Sequence, residues 1–273
     1  MKRLFVLFFV CLLLFSLTAC AKQESDSVEY YLAEYTNEPA FEGATHQRIL
    51  YTYDEQWRIS SILTHFGEEE AANMRYAYSE DNTVVTSSDS VSGLVSEVHR
   101  TFDQNGNIIK MEQYDQGTQT VVVYSKYDDD NRITSQVSTY FGHALLQKSK
   151  TEYSYDHRGN EVTETQEMTY LDGNIFTSRT EQEYDSENRV IRLRQFTGDT
   201  LAYEYLYTYD DSANTQTRIA SGPANGSAKL IYTYDDLGNM LMVEAIGPDG
   251  NLQYRQRYRY IGTDGSEVSG FKE

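Results

Sequence analysis

The feature that most constrains this chain is a short motif, an aromatic residue followed by aspartate, which returns at a nearly fixed spacing. The aromatic residue falls at Tyr53, Tyr78, Phe102, Tyr127, Tyr155, Tyr184, Tyr209, Tyr234 and Tyr260. Successive copies lie 24 to 29 residues apart. A period of this size predicts one supersecondary unit repeated many times, with atypical units at the two ends.

Each copy of the motif predicts the corner of a β-hairpin, most clearly over residues 232–240. Tyr232 and Tyr234 are two apart and share one face of a strand. Asp235 can accept hydrogen bonds from the backbone of its own turn, and Gly238 supplies a positive φ, as in a type I turn followed by a bulge. The aspartate recurs at Asp54, Asp103, Asp128, Asp156, Asp185, Asp210 and Asp235, with Ser79 and Ile261 as departures. The position four residues after the motif aromatic, where a left-handed conformation is expected, is filled by Gly106, Gly159, Gly238, Asn82, Asn131 and Asn188, with Trp57 and Ala213 as departures.

Apolar and polar residues alternate between these corners, as in the run from Leu201 to Tyr209. The residue directly before each motif aromatic points to the other face of the strand. It is small or polar in every copy: Thr52, Ala77, Thr101, Lys126, Ser154, Glu183, Thr208, Thr233 and Arg259. This contrast predicts antiparallel strands with one face covered and one face in water. Most outgoing strands open on an apolar residue, at Ile59, Val84, Ile108, Ile133, Val190 or Met240, whereas Glu161 and Thr215 depart from this rule.

The predicted fold is therefore all-β, with repeated antiparallel β-hairpins forming a long, twisted or coiled meander sheet over residues 45–273. Second turn signals, such as Gln116-Gly117 and Asp172-Gly173-Asn174, connect one hairpin to the next and predict 15 to 18 strands. We expect the tyrosine face to turn inward, and whether the sheet closes is left open. Residues 66–73 interrupt the pattern and are interpreted as a short helical turn, and residues 221–227 as a longer loop.

The first 19 residues are typical of a signal peptide, with Lys2 and Arg3 before an apolar run too short to span a membrane. The small residues before Cys20 resemble a bacterial lipobox, which implies cleavage after Ala19 and lipidation of Cys20. Two or three acyl chains would anchor the protein to a bilayer more firmly than one. Residues 20–44 are interpreted as the lipidated cysteine, a tether and an N-terminal cap, whose tyrosines Tyr30, Tyr31 and Tyr35 pack on the first repeat.

The run Tyr-x-Tyr-Asp-x-x-Gly-Asn at residues 232–239 resembles the YD repeats of bacterial RHS proteins. The resemblance covers roughly residues 45–262 and is specific as an array rather than in any single copy. It implies a wall of β-sheet, which in full-length members of that family encloses a C-terminal toxin. This chain ends at Glu273, directly after the last repeat. We therefore do not expect a delivery role.

The cysteine content and the net charge limit which crosslinks and which binding partners are expected. Cys11 leaves with the signal peptide and Cys20 is lipidated, so no disulfide is expected. The chain has 23 basic and 42 acidic residues, a net charge of −19, and loss of Lys2 and Arg3 brings the mature chain to −21. Such acidity excludes a nucleic-acid partner and favours solubility and mutual repulsion of exposed sheet edges.

The residues offer little for catalysis or metal binding. The 24 tyrosines could stack on sugar rings, but they also fit a half-buried pleat that keeps their hydroxyl groups in water at the rim. The Asp-rich turn at residues 128–131 resembles a calcium loop without EF-hand spacing, and turn formation explains it without a metal. The histidines His46, His65, His99, His143 and His157 are scattered and form no zinc motif. We expect no enzyme activity and no cofactor.

These observations predict a lipoprotein on the extracytoplasmic face of the cell membrane, acting as a non-catalytic surface binding or scaffolding module. Its predicted partners are the lipid bilayer, through acylated Cys20, and a cell-wall polysaccharide or another surface protein. The alternatives left open are a polysaccharide-binding repeat protein, a glycoside hydrolase and a relic of an RHS toxin shell.

Overall fold

The computed structural model describes residues 28–40, 45–142, 146–221 and 229–270. Across these ranges the chain forms nineteen β-strands and no helix. In chain order the strands are β1 Tyr30–Pro39, β2 Gln47–Tyr53, β3 Ile59–Phe66, β4 Glu69–Tyr78, β5 Val84–Asp89, β6 Val95–Phe102, β7 Ile108–Asp115, β8 Thr118–Tyr127, β9 Ile133–Tyr140, β10 Leu146–Tyr155, β11 Glu161–Tyr170, β12 Ile175–Tyr184, β13 Val190–Thr197, β14 Thr200–Asp210, β15 Thr215–Ser221, β16 Lys229–Tyr234, β17 Met240–Ile246, β18 Leu252–Gly262 and β19 Glu267–Ser269.

The strands form one antiparallel meander that closes on itself. Each strand from β1 to β18 pairs with its neighbour in the chain, and β1 also pairs with β18, from Tyr30 opposite Gly262 to Pro39 opposite Tyr254. The short β19 adds to the end of β18. The all-β antiparallel meander is thus confirmed, but it is an 18-strand barrel and not an open, coiled sheet. Closure is favoured because it pairs the N–H and C=O groups that two free edges would leave unpaired.

Strand β1 completes the ring, although its residues were predicted to form part of a cap. It carries a bulge between Leu32 and Glu34, so the alternation of its side chains slips by one residue halfway along. Tyr31 does pack on the first repeat, with its ring centroid 5.3 Å from that of Tyr53. Tyr35 packs on the last repeat instead, with its ring centroid 5.3 Å from that of Tyr258. Cys20 and the rest of the predicted tether before residue 28 lie outside the described residues.

The two faces of the wall differ in burial. The tyrosine face carries most of the buried side chains: Ile59, Ile62, Val85, Ser87, Asp89, Val98, Gln113, Val123, Ser149, Thr151, Val243 and Ala245. The opposite face carries exposed large residues such as Tyr124, Leu206 and Ile219. Side chains converge on the concave side of a closed wall, so the tyrosine face is the inner wall of the barrel.

All nineteen described strands belong to the wall of the barrel. Extensive contacts between strands occur only between sheet neighbours within the described residues. Eighteen strands enclose an interior too wide for side chains to fill, as in barrels of 16 to 18 strands that hold an aqueous channel. The core is accordingly a thin layer against the wall, and Val85 is the largest side chain that is fully buried among the described residues.

The turns lie at two rims. All motif turns follow even-numbered strands and form one end, which we call the motif rim, and the second turns form the opposite rim. The predicted helical turn at residues 66–73 is wrong: Gly67, with φ +61°, makes a tight turn and β4 begins at Glu69. Most of the predicted loop at residues 221–227 lies outside the described residues, as does His143.

Candidate binding site on the inner wall

Each motif turn is organised by its aspartate, as Asp156 illustrates. Its Oδ1 accepts hydrogen bonds from the backbone N–H groups of Arg158 (2.8 Å) and Asn160 (2.9 Å), and its Oδ2 accepts one from Asn160 Nδ2 (3.0 Å). The Gly159 N–H donates to the Asp156 carbonyl oxygen (3.1 Å), which closes the turn. Corresponding carboxylate contacts occur at Asp54, Asp103, Asp128, Asp185 and Asp235. The carboxylates are therefore occupied in holding the turns.

The left-handed position is filled even where the sequence departs from glycine or asparagine. Trp57 adopts φ 58° and stacks on Tyr31, with ring centroids 5.0 Å apart and 20° between planes. After Asp210 the next strand begins five residues later, at Thr215, as in the other turns, but the left-handed conformation falls one place further along, on Asn214 (φ 49°) and not on Ala213. Both departures keep the hairpin, the first by accepting backbone strain and the second by moving the left-handed residue one place along the turn.

The motif tyrosines link neighbouring repeats through their hydroxyl groups. The Tyr155 hydroxyl donates to the Ile133 carbonyl oxygen (2.7 Å), and the Tyr184 hydroxyl donates to the Glu161 carbonyl oxygen (2.7 Å). The same bond to a backbone carbonyl is made by Tyr53, Tyr78, Tyr127 and Tyr209. The expectation that these hydroxyl groups stay in water is therefore wrong for these copies. Burial raises the pKa of Tyr155 and Tyr184, and it raises that of Tyr260 to about 12.

A second link runs around the motif rim through the residue four places after the aspartate, which is arginine or asparagine in most turns. The guanidinium of Arg132 pairs with Asp128 (2.8 Å) and lies over the ring of Tyr155 in the next repeat, 4.9 Å from its centroid. Arg58 and Arg189 contact the next motif tyrosine in the same way, each at 4.4 Å. Motif residues are thus brought together as a structural girdle, which leaves little of them free for a ligand.

The aspartate that begins the turn resembling a calcium loop is engaged in hydrogen bonds of its own turn. Asp128, in the turn that resembles a calcium loop, already accepts hydrogen bonds from the Asp130 and Arg132 backbone N–H groups. Across the described ranges, no group of three or more histidine, cysteine, aspartate or glutamate residues is arranged to hold a metal ion.

The inner wall does carry one pair of acidic residues with perturbed titration. Glu161 and Glu164 lie on β11, and both face inward because a bulge opposite Tyr155 shifts the register between them. Burial raises the pKa of both carboxyl groups, and the neighbouring Glu164 charge adds to the effect on Glu161. Gln182 Nε2 donates a hydrogen bond to Glu161 (3.2 Å).

A cavity of about 770 Å³ lies on the inner wall near the rim opposite the motif turns. Strands β14 to β18 and the turn after β17 line it, with Tyr205, Arg218, Ala220, Leu230, Ala245, Ile246, Gly247, Pro248, Asp249, Gln253 and Tyr254. Its size falls within the range of small-molecule sites, roughly 300–1,000 Å³. An added Cβ at Gly247 would lie 2.7 Å from Gln253 Nε2 and 2.8 Å from Asp249 Oδ1, so both side chains would have to move.

Arg218 is the cationic group of this cavity. Its guanidinium carbon lies 4.7 Å from the ring centroid of Tyr205 and 5.9 Å from that of Tyr232. Most other arginines pair with a carboxylate, but Arg218 has no ion pair and donates no side-chain hydrogen bond within the described part of the chain. It is half-buried and faces inward because it pairs with Tyr207 in the ladder.

Sequence reasoning missed Arg218, although a signal was present. Taking Thr215 as the first residue of a strand places Gln216, Arg218 and Ala220 on the same face as the tyrosines of β14. The tyrosine spacing alone suggests stacking on sugars, and the charged residue among the tyrosines is found only when β14 and β15 are paired.

No protein-family model matches the chain, and no curated protein matches it. Among solved structures, it is similar to a porin-like protein from Bacteroides uniformis ATCC 8492 at 13% identity and a TM-score of 0.41, over 83% of this chain and 96% of that one. A porin-like protein from Bacteroides vulgatus ATCC 8482 matches at 12% identity and a TM-score of 0.41, over 84% of this chain and 97% of that one. A third match is to the TcdB2-TccC3-Cdc42 structure, at 16% identity and a TM-score of 0.28, over 77% of this chain and 15% of that one.

The strand pairing defines a closed, antiparallel barrel of eighteen strands built from one repeated hairpin. Its inner wall carries a cavity of small-molecule size. Among the described residues there is no helix long and apolar enough to cross a membrane.

Proposed function

We propose that this protein is a lipid-anchored, extracytoplasmic binding protein whose barrel stands in water and whose inner wall holds the ligand. The observation that carries the proposal is the division of the wall into a charged outer face and a tyrosine-rich inner face. A non-catalytic role fits the occupied motif carboxylates and the dispersed histidines. The relation to RHS repeats remains a prediction from the motif.

Charge on the outer wall supports a barrel surrounded by water. Arg179, Arg192 and Arg194 on β12 and β13 pair with neighbouring glutamates, as in Arg179 to Glu181 (3.0 Å) and Arg194 to Glu183 (2.7 Å). On a lipid-facing wall, each arginine at the bilayer midplane would cost about 2–4 kcal/mol. Three of them would cost roughly 6–12 kcal/mol, comparable to the whole stability of a typical domain.

The charged outer wall continues around the ring. Further pairs join Lys110 to Glu112 (2.9 Å), Lys150 to Glu152 (2.8 Å) and Arg257 to Glu38 (3.3 Å). These lie on β7, on β10 and across the seam between β18 and β1. A continuous apolar band, which a membrane-spanning barrel requires, is interrupted at each of them.

The position of the N-terminus gives the anchored barrel an orientation. Strand β1 begins at the motif rim, where the Thr263 N–H donates to the Glu29 carbonyl oxygen (3.0 Å). Nine Cα steps separate Cys20 from Glu29 in the sequence, a reach of at most roughly 32 Å. An acyl group on Cys20 would therefore keep the motif rim near the bilayer, and the 770 Å³ cavity at the other rim would face away from it.

The test separates a lipid-anchored barrel from one that spans the membrane. Residues 1–20 are replaced by a secretory signal that is cleaved without lipidation, and the envelope is fractionated without detergent. We expect the folded barrel in the aqueous fraction, whereas the natural chain stays with the membrane and its processing is blocked by globomycin. Retention of the non-lipidated barrel in the membrane, released only by detergent, would refute the proposal.

A second candidate function, glycoside hydrolysis, is favoured by Glu161 and Glu164. Two neighbouring carboxyl groups with raised pKa on an inner wall match the residue types that such enzymes use. The pair lies on β11, away from the strands that line the cavity. The test is hydrolysis of cell-wall polysaccharide by the natural chain and by Glu161→Gln and Glu164→Gln variants. Turnover that both substitutions abolish would favour the enzyme over the binding protein.

A further inference from the structure

We propose that the cavity beside Arg218 binds a cyclic sugar bearing one carboxylate, a monosaccharide unit of the uronic-acid type. This inference rests on the proposed function and adds the chemical class of its ligand. Arg218 binds the carboxylate, and the tyrosines around it contact the ring.

The free edge of Arg218 identifies the anionic group. A guanidinium is planar and carries its five N–H donors around its edge, in a fork that matches a carboxylate. The rings of Tyr205 and Tyr232 lie near this group at 4.7 and 5.9 Å, a placement that leaves hydrogen-bond donors unused. No described residue accepts a hydrogen bond from the guanidinium, and we assign its donors to a ligand carboxylate.

The tyrosines identify the ring. Tyr205 and Tyr254 line the cavity, and Tyr203 stacks beside Tyr205 with centroids 6.3 Å apart and 18° between planes. Flat aromatic faces with polar edges suit a ligand that is apolar on its ring faces and hydroxylated around its rim. Gln253 adds an amide donor and acceptor at the mouth.

The charge balance limits the ligand to a single negative charge. The chain carries a net charge of −19, which repels a polyanion. Asp249 is the carboxylate that lines the cavity, and its oxygens accept from the Asn251 N–H (3.0 Å) and Nδ2 (2.8 Å). Arg218 can therefore neutralise one ligand carboxylate. Binding of a polymer that carries a charge on every unit would be opposed by repulsion from the acidic protein.

The barrel supplies a matched control in Arg100. It is half-buried on the inner wall, where it alternates with the buried Val98, and it also has no ion pair among the described residues. Its strand β6 lies nine strands from β15 in a ring of eighteen, on the opposite wall. Arg100 does not line the cavity, so it reports on an inward arginine outside the proposed site.

The experiment is isothermal titration of the mature acylated protein in detergent micelles with D-glucuronate, D-glucose and acetate. We expect saturable 1:1 binding of glucuronate and at least tenfold weaker binding of glucose and of acetate. Arg218→Gln should weaken glucuronate binding about ten- to hundredfold, because a hydrogen bond to a charged group contributes roughly 1.5–3 kcal/mol. It should leave glucose binding unchanged. Arg218→Lys should give an intermediate affinity, and Arg100→Gln should bind like the natural chain.

Three results would overturn the inference: no saturable glucuronate binding by the natural chain, equal affinity in Arg218→Gln, or an equal loss in Arg100→Gln. If thermal melts show that Arg218→Gln does not fold, Arg218→Lys decides, and natural affinity in that variant counts against the site. If the titration fails but the non-lipidated barrel is found in the aqueous fraction, only the proposed ligand class is rejected. A barrel that stays in the membrane without its acyl chains removes the proposed function itself.

Discussion

Replacing Tyr155 by phenylalanine tests whether the hydroxyl bonds between repeats hold the wall together. The substitution keeps the ring and its contact with Arg132 but removes the bond to the Ile133 carbonyl oxygen at 2.7 Å. A net hydrogen bond contributes about 0.5–1.5 kcal/mol, and a carbonyl left without a partner adds a penalty in proportion to its burial. Because Tyr155 is only half-buried, we expect the free energy of unfolding to fall by about 1–2 kcal/mol.

The assay is urea unfolding followed by circular dichroism, with a thermal melt as a second measurement. For a domain of this size, a loss of 1–2 kcal/mol lowers the Tm by about 2–8 °C. Tyr203→Phe is the matched control, since the Tyr203 hydroxyl makes no hydrogen bond among the described residues and its side chain is 36% exposed. Equal stability of the two variants would refute the role given to the hydroxyl bonds.

The remaining predictions concern the strained turn at Trp57, the seam between β1 and β18, and stability at low pH. Trp57→Ala should lower the free energy of unfolding by about 1 kcal/mol more than Trp57→Gly. Both variants lose the stack on Tyr31, but glycine also relieves the left-handed backbone strain. Equal urea midpoints for the two variants would contradict this. Glu34→Gln should destabilise the seam by about 1–2 kcal/mol, and less in 1 M salt, because Glu34 is 8% exposed and bridges two arginines; a loss that salt does not change would count against the ion pairs. Hydrogen bonds from Ser79 and Thr83 lower the pKa of Asp81 to about 2, and the pKa of Asp156 is also lowered to about 2, since its turn hydrogen bonds outweigh the rise that burial causes. Their contribution to stability is present above the unfolded pKa near 3.8 and is lost as the pH falls through about 2, so urea midpoints that stay flat between pH 4 and pH 2 would argue against it.

The hairpins could be predicted from the sequence because each depends on residues close together. The aspartate, the left-handed residue three places on and the tyrosine before them all act within one turn, and strands begin at the expected Ile59, Ile108 and Ile133. Even the departures at Glu161 and Thr215 are strand starts, since the turn fixes the boundary whatever residue follows it.

Closure could not be predicted because it depends on pairing between the two ends of the array. Glu34 contacts Arg259 across 225 positions of sequence, and no local pattern reports such a contact. The bulge after Leu32 also shifts the alternation of β1, so the strand that completes the ring resembles irregular chain. The arginines at 255, 257 and 259 show a matching charged strip only once the register with β1 is known.

The candidate site was hidden for a related reason. Arg218 gains its setting from Tyr205 and Tyr232, which lie on the strands either side of it. A pass along the sequence finds a single arginine in a polar run, and only the sheet shows that it lies between two rings and pairs with no carboxylate of the described residues.

An antiparallel ring closes only with an even number of strands, and each repeat of this chain contributes two. Duplication or loss of one whole repeat would therefore preserve the seam between β1 and β18, while loss of half a repeat would oppose two parallel strands there. Because barrel diameter grows roughly in proportion to strand number, the bore can change only in steps of one hairpin. Unequal recombination within such a gene would thus produce a series of closed barrels whose diameters differ by one hairpin at each step.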